Sequence, residues 1–186
     1  ARALQQTEEG YVDAVVGALP GDAPDFVFPE VATGHSIIAL YTHPDNDWQY
    51  NGIESLAGFT LLAINGYAYS PELDAYIARH QSNPERVWVL SGAAPLGRAI
   101  ELMHQHRSDV FPEDQSVMEW HLKNDANNAE LRMAAVLNES PIYIAFSPAS
   151  GDSPELAALL SKGAKALQRS GRLPQIMARY GLAWSD

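Results

Sequence analysis

The sequence contains no cysteine and no long apolar run, and each absence excludes a class of protein. Without thiols, the chain has no disulfide bridges and no thiolate-bound metals. No segment approaches the ~20 consecutive apolar residues of a membrane-spanning helix, so we expect no membrane insertion. The first residues also lack the apolar core of a secretion signal. Such a start is expected where a signal peptide has been removed or an N-terminal segment is missing.

Basic residues are also scarce. The 12 Lys and Arg residues are outnumbered by 23 Asp and Glu residues, which gives a formal net charge of −11. An acidic surface repels phosphate backbones and anionic lipid head groups, so we expect no nucleic-acid partner. Hydrophobic residues make up 46% of the chain and charged residues 19%, which is the balance of a folded globular protein.

Short apolar runs alternate along the chain with amphipathic helical stretches. Runs such as Leu61-Leu62-Ala63-Ile64 suit strands that are covered on both faces, as in a parallel sheet. This alternation predicts an α/β protein. The predicted strands are Tyr11–Leu19, His35–His43, Phe59–Asn65, Arg86–Leu90, Ser108–Phe111, Leu131–Leu137 and Pro141–Phe146.

Caps and prolines mark the starts of the predicted helices. Ser70 followed by proline predicts a helix over Pro71–His80. Apolar residues on one face predict a second helix over roughly Pro95–His106. Near the C terminus, Ser153 before a proline and an acid predicts a cap, and Gly171 is expected to end the helix that follows.

Two polar segments with proline predict where the chain crosses between two lobes. The first, His43–Asp47, follows a strand, and the second, Asn138–Pro141, precedes one. We therefore expect a complete α/β lobe two over residues 44–140. Lobe one would be discontinuous, formed from residues 1–43 and 141–186.

Several motifs, in order along nearly the whole chain, resemble those of family 3 extracellular solute-binding proteins of bacterial ABC importers. Gly10–Ala14 resembles the family's Gly-x-x-Asp-Ala strand entry, and Glu54–Gly58 resembles its Ser-Leu-x-Gly segment. The other matching segments are Arg107–Val110, Tyr143–Pro148, Glu155–Ala157, Leu167–Gly171 and Ile176–Leu182.

This resemblance implies a two-lobed fold of the periplasmic-binding-protein-like II type, with lobe one incomplete because the family's N-terminal strands have no counterpart here. It implies a periplasmic protein that captures a small polar molecule, amino-acid-like or an organic acid, in the cleft between the lobes. The implied partner is an ABC permease. No enzymatic activity, cofactor or metal is expected.

The resemblance also implies a ligand site. Asp114 matches the acid that pairs with a ligand ammonium, although Asp is equally a favoured N-cap for a helix over Gln115–Leu122. The family holds the ligand carboxylate at a turn before a helix. Here that turn contains Gly66, Tyr67, Ala68 and Tyr69, where the tyrosines either contact a ligand or pack on the lobe.

Two further segments contain residue types that are found in binding sites. Ser91 and Gly92 follow a strand and precede a helix, where ligands bind in open α/β sheets, although an ordinary connection is the alternative. His104 and His106 are two residues apart and would face different sides of a helix. The six histidines therefore predict hydrogen-bonded or solvated side chains and no metal site.

One departure from the family concerns the carboxylate. The family's lobe one carries an arginine that grips the α-carboxylate with two hydrogen bonds, but residues 17–25 here contain no arginine. A standard amino acid is therefore a doubtful ligand. Two alternatives remain open: a sensor or degenerate homologue that binds a protein partner, and a cyclohexadienyl-dehydratase-like enzyme in which Asp114 or Glu113 would transfer protons.

Overall fold

The computed structural model describes residues 2–124 and 130–180, and within them strands and helices alternate as in an α/β protein. The strands are β1 (Ala14–Ala18), β2 (Gly34–Thr42), β3 (Leu61–Ile64), β4 (Val87–Leu90), β5 (Val110–Asp114) and β6 (Arg132–Phe146). The helices are α1 (Arg2–Glu8), α2 (Pro71–His80), α3 (Pro95–His104), α4 (Gln115–Asn124), α5 (Ser153–Arg169) and α6 (Arg172–Arg179). A short 3-10 helix covers Ile53–Leu56.

The chain divides into two compact units. Unit 1 contains Ala1–Ser36 and Ser140–Asp186, and unit 2 contains Ile37–Glu139. Residue 43 was expected to end the first segment of lobe one, but the division falls earlier, inside β2. The reason is that β2 pairs with β5 from Ile38 onward, so most of this strand belongs to the sheet of unit 2.

The second crossing is also made by a strand. The sequence predicted two strands with a break at Asn138–Pro141, but β6 runs unbroken through Pro141, so that break is wrong. Proline cannot donate a ladder hydrogen bond, but its fixed backbone angle is compatible with an extended chain. The residue before a proline also favours extended geometry. Extended structure therefore continues across the division between Glu139 and Ser140.

Unit 2 contains β3, β4 and β5 together with parts of β2 and β6, and helices pack against both faces of its sheet. Strand β3 is parallel to β4 and β5, while β2 is antiparallel to β5. All four residues of β3 are buried, as the continuous apolar run predicted. Because side chains alternate along a strand, Leu62 and Ile64 join one apolar cluster and Leu61 and Ala63 join the other.

Local signals set the helix starts of unit 2. The Ser70 hydroxyl accepts a hydrogen bond from the Leu73 N–H at 3.3 Å, so Ser70 caps α2 as predicted.

Helix α5 of unit 1 begins differently from the prediction: Asp152 is its N-cap residue, and Ser153 is already helical. The Ser153 hydroxyl instead donates to the Ser147 carbonyl at 2.6 Å, which ties the helix start to the preceding turn.

Unit 1 has a small antiparallel ladder and an exposed apolar flank. Strand β1 pairs with β6, with Ala14 opposite Phe146. The Val16 side chain on β1 is 77% exposed, and Leu159 on α5 is 64% exposed. Beside α5 lies an apolar groove of about 460 Å³. Its walls are formed by Ala32, Thr33, Phe146, Leu156, Leu159, Leu160, Gly163, Ala164, Leu167 and Leu173.

Candidate functional site

The parallel strands of unit 2 bring three predicted segments to one edge of its sheet. Strand β3 lies between β5 and β4, so their carboxyl ends point in the same direction. Gly66 lies just beyond β3, Ser91 follows β4, and Asp114 is the last residue of β5. Ligands of open α/β sheets bind at this edge. The fold therefore places all three segments where a small molecule could be held.

The turn after β3 has one exposed and one buried tyrosine. Gly66 has a φ angle of +79°, which side-chain-bearing residues rarely adopt. Tyr67 is 51% exposed, whereas Tyr69 is 4% exposed. The Ile64 N–H donates to the Tyr69 hydroxyl at 2.9 Å, so Tyr69 is a packing residue that closes the turn. Tyr67 and Ala68 are exposed at the turn, and the Tyr67 ring is free to contact a ligand.

The start of α2 already contains a carboxylate of the protein. Asp74 accepts the Tyr69 N–H with its two carboxylate oxygens at 3.0 and 3.3 Å. Glu72 is a second acid in the first helical turn. A helix N terminus attracts anions, but these two side chains supply that negative charge from within unit 2. A ligand carboxylate would meet repulsion here.

Asp114 caps α4. Its Oδ1 atom accepts the N–H groups of Ser116 at 2.9 Å and Val117 at 3.2 Å, which are the contacts of an N-cap side chain. The structure therefore has the N-cap that the sequence predicted as one of two roles for Asp114. A carboxylate offers about four acceptor sites, so capping is compatible with an additional bond to a ligand.

Glu113, next to Asp114, is a buried acid. It is 3% exposed, and its Oε1 atom accepts the Asp114 N–H at 2.8 Å. Its Oε2 atom is buried without a hydrogen-bond partner among residues 2–124 and 130–180. Burial raises the pKa of Glu113 to about 7. The hydrogen bond from the Asp114 N–H lowers the pKa and so partly opposes this rise, and the charge of Asp114 adds a smaller increase. Glu113 can therefore change its protonation state near neutral pH.

Tyr41 joins this acid pair from strand β2. Tyr41 is 4% exposed, and within the part of the chain that the structure describes its buried hydroxyl has no hydrogen-bond partner. Burial raises the pKa of Tyr41, and the charges of Glu119, Asp114 and Glu113 raise it further. The three carboxylates therefore lie close enough to the hydroxyl to disfavour its ionisation. Tyr41 was not identified from the sequence, because its position beside β5 depends on the strand register.

The turn after β4 is open to solvent. Ser91, Gly92 and the two residues after them are exposed. Helix α3 begins after Ala94, which has a left-handed backbone and provides no capping side chain. The helix therefore starts without a capping side chain, and its first residue, Pro95, has no N–H group.

The histidines are arranged differently from the sequence prediction. Helix α3 ends at His104, so His106 lies beyond it, with a φ angle of +51°. The His43 ring lies 4.0 Å from that of His106 and 6.2 Å from that of His104, measured between ring centres. Even so, no group of three or more His, Asp or Glu side chains within residues 2–124 and 130–180 has the geometry of a metal site.

The similarity of this chain to known proteins lies in its three-dimensional structure. No family model and no curated protein matches the sequence. Solved structures do match. A protein from work on glutathione import and the cystine ABC importer of Streptococcus mutans has a TM-score of 0.72 at 15% identity, over 98% of this chain and 75% of that chain. The chain has the periplasmic-binding-protein-like II fold.

Two further structures show the breadth of this fold. The GluR0 ligand-binding core of Nostoc punctiforme, solved with L-glutamate, has a TM-score of 0.67 at 14% identity, over 95% of this chain and 76% of that chain. An ancestral amino-acid-binding protein, described as a precursor of cyclohexadienyl dehydratase, has a TM-score of 0.63 at 13% identity, over 95% and 72% of the chains. Among the described residues, no helix is long and apolar enough to cross a membrane.

Proposed function

We propose that this protein is a solute-binding protein that captures a small polar molecule at the carboxyl edge of the sheet of unit 2 and delivers it to an ABC permease. The observation that carries the proposal is the convergence of Gly66–Tyr69, Ser91–Gly92 and Asp114 at one edge of unit 2. In a periplasmic-binding-protein-like II fold, such an edge is the natural wall of a ligand crevice. The protein would act in the periplasm and leave its ligand chemically unchanged.

The polar groups of this edge fit recognition of a small molecule. Tyr67 offers an exposed aromatic face, Asp114 a charged acceptor, and the turn at Ser91–Gly92 exposed backbone groups. A few well-placed polar groups beside aromatic surface are typical of ligand sites.

Isothermal titration calorimetry of the whole chain tests this function. The panel contains the common amino acids, short organic acids and short amines. We expect saturable binding of at least one compound. Tyr67→Ala should weaken it about tenfold, since an aromatic contact contributes on the order of 1 kcal/mol. Tyr180→Ala, a similarly exposed tyrosine of unit 1, serves as the matched control and should leave affinity unchanged.

A second function is favoured by Glu113 alone. A buried acid with a pKa of about 7 is suited to proton transfer at neutral pH. This supports the alternative of a dehydratase-like enzyme, in which a protonated acid would help the ring hydroxyl of a cyclohexadienyl acid to leave as water while the ring carboxylate leaves as carbon dioxide, so that the ring becomes aromatic. The test is to incubate the protein with prephenate and arogenate and to follow aromatic product by absorbance. Product formation that disappears in Glu113→Gln would favour the enzyme, and its absence in the wild type would favour binding.

A further inference from the structure

Unit 1 has a second cavity along helix α5, and it shares no lining residue with the apolar groove beside that helix. The cavity has a volume of about 470 Å³ and lies between α5 and the chain segment before β2. Phe28 and Ala158 contribute apolar surface to it. Three cations also line it: Lys162, Lys165 and Arg169. This α5 cation cavity therefore combines positive charge with apolar walls.

The three cations form a stripe along α5. They are spaced by three and four residues, so they lie on successive turns of one helix face. Because an α-helix rises 1.5 Å per residue, the backbone positions of Lys162 and Arg169 are about 10 Å apart along the helix axis. The two outer cations therefore mark the ends of an elongated positive site.

The middle cation of this stripe is paired with an acid of unit 1. The Lys165 Nζ atom lies 2.7 Å from the Glu30 Oε1 atom. Lys162 and Arg169 are exposed and form no ion pair within residues 2–124 and 130–180. Glu30 is the one acid among the described residues that line the cavity. The site thus keeps two uncompensated positive charges.

The acids of the protein do not neutralise this stripe, although they outnumber the cations. The formal net charge is −11, with 23 Asp and Glu residues against 12 Lys and Arg residues. Residues 156–180 nevertheless contain lysines and arginines but no Asp or Glu. Like charges at this helical spacing repel each other. A bound anion would relieve that repulsion.

The walls of the cavity are tied together by hydrogen bonds. The Ser161 hydroxyl accepts the Glu30 N–H at 2.9 Å and donates to the Ala157 carbonyl at 2.8 Å, and Ser161 is 6% exposed. Val27 exchanges two backbone hydrogen bonds with Phe146 of β6, at 3.0 and 2.9 Å. The segment that faces α5 is therefore fixed at both ends, and a ligand does not have to order it.

We propose that the α5 cation cavity binds an elongated organic dianion of the dicarboxylate class. One carboxylate contacts Lys162 and the other contacts Arg169, whose planar guanidinium can donate two parallel hydrogen bonds to it. The aliphatic body of the ligand lies against Phe28 and Ala158. A monocarboxylate of the same length reaches only one of the two cations, and a diamine is repelled by both. This site belongs to unit 1 and does not depend on the proposed ligand edge of unit 2.

Isothermal titration calorimetry with three eight-carbon compounds tests the proposal. Suberate carries two carboxylates, octanoate carries one, and 1,8-diaminooctane carries two ammonium groups. We expect suberate to bind about tenfold more tightly than octanoate, because its second carboxylate adds a charge-assisted contact. Octanoate that binds as tightly as suberate would show only an apolar cavity and would overturn the proposal. Tighter binding of the diamine, or no saturable binding of suberate, would also overturn it.

Paired substitutions locate the binding. Lys162→Gln combined with Arg169→Gln removes both charges and keeps residues that favour a helix. This double variant should weaken suberate binding about tenfold or more and remove the preference over octanoate. Lys123→Gln combined with Arg79→Gln, two exposed cations of unit 2, is the charge-matched control and should change suberate affinity less than about twofold. Equal losses in both double variants would assign the effect to net charge and contradict the site.

Tyr67→Ala separates this site from the proposed ligand edge of unit 2. We expect it to leave suberate affinity unchanged, because Tyr67 does not line the α5 cation cavity. Circular dichroism of each variant checks that helix content is retained. If Tyr67→Ala weakens suberate binding and the Lys162 and Arg169 double variant does not, the dianion binds to unit 2. That result would overturn the α5 site and leave the proposed function standing.

Discussion

The two units differ in which of their side chains remain without a partner: buried polar groups in unit 2, and exposed apolar groups in unit 1. Unit 2 buries both faces of β3 under two apolar clusters, and the buried polar side-chain atoms without a hydrogen-bond partner among the described residues, such as those of Tyr41 and Glu113, all belong to this unit. Unit 1 leaves apolar side chains uncovered, including Val16 and Leu159. An exposed apolar face marks an interaction surface or an association hazard. Both faces of β3 are thus covered within unit 2, whereas Val16 and Leu159 of unit 1 are not covered by the residues that the structure describes.

Truncating one leucine in each unit tests this difference most strongly. Leu62 is fully buried, so Leu62→Ala should lower the free energy of unfolding by about 2–5 kcal/mol. Leu159 is 64% exposed, so Leu159→Ala should change it by less than about 0.5 kcal/mol. Urea denaturation followed by circular dichroism gives both values. A large loss in Leu159→Ala would show that unit 1 is covered after all.

The buried acid predicts a pH dependence of stability specific to unit 2. Between the ordinary pKa of 4.5 and the raised pKa of about 7, folded Glu113 holds a proton that the unfolded chain has lost. Its contribution to stability therefore falls as pH rises through this window, by about 3 kcal/mol in total. Denaturation midpoints of the wild type and Glu113→Gln at several pH values isolate the effect. Parallel curves would contradict it.

Capping by Asp114 should give a smaller effect. Asp114→Ala removes the acceptor for the Ser116 and Val117 N–H groups, at a cost of about 1 kcal/mol. Asp114→Asn should retain most of that stability, because asparagine caps about as well. Thermal unfolding of the two variants measures the difference. Equal destabilisation by both would assign the effect to the lost charge.

Several helix and strand boundaries of unit 2 could be predicted from the sequence alone. The continuous apolar run of β3 and the Ser70–Pro71 start of α2 are local signals, and the structure has both. The cap at Asp114 was also readable, since the residue precedes a helical pattern. The break expected at Asn138–Pro141 was wrong because proline marks a turn only when the chain can bend there, and β6 stays extended.

Features that depend on pairing between distant segments could not be predicted. Tyr41 meets the acids of β5 only through the antiparallel register of β2 and β5. His43 approaches His106 because α3 ends at His104 and the chain then adopts a left-handed backbone. The first division of the chain likewise depends on which sheet β2 joins. None of these follows from local residue patterns.

The central claim is that the carboxyl edge of unit 2 is the ligand-binding surface. Hydrogen–deuterium exchange of the whole chain, with and without a saturating amount of the tightest-binding compound in the calorimetry panel, tests it most directly. We predict slower exchange in peptides that cover Gly66–Tyr69, Ser91–Gly92 and the start of α4. Protection confined to the apolar groove beside α5, with those peptides unchanged, would contradict the account.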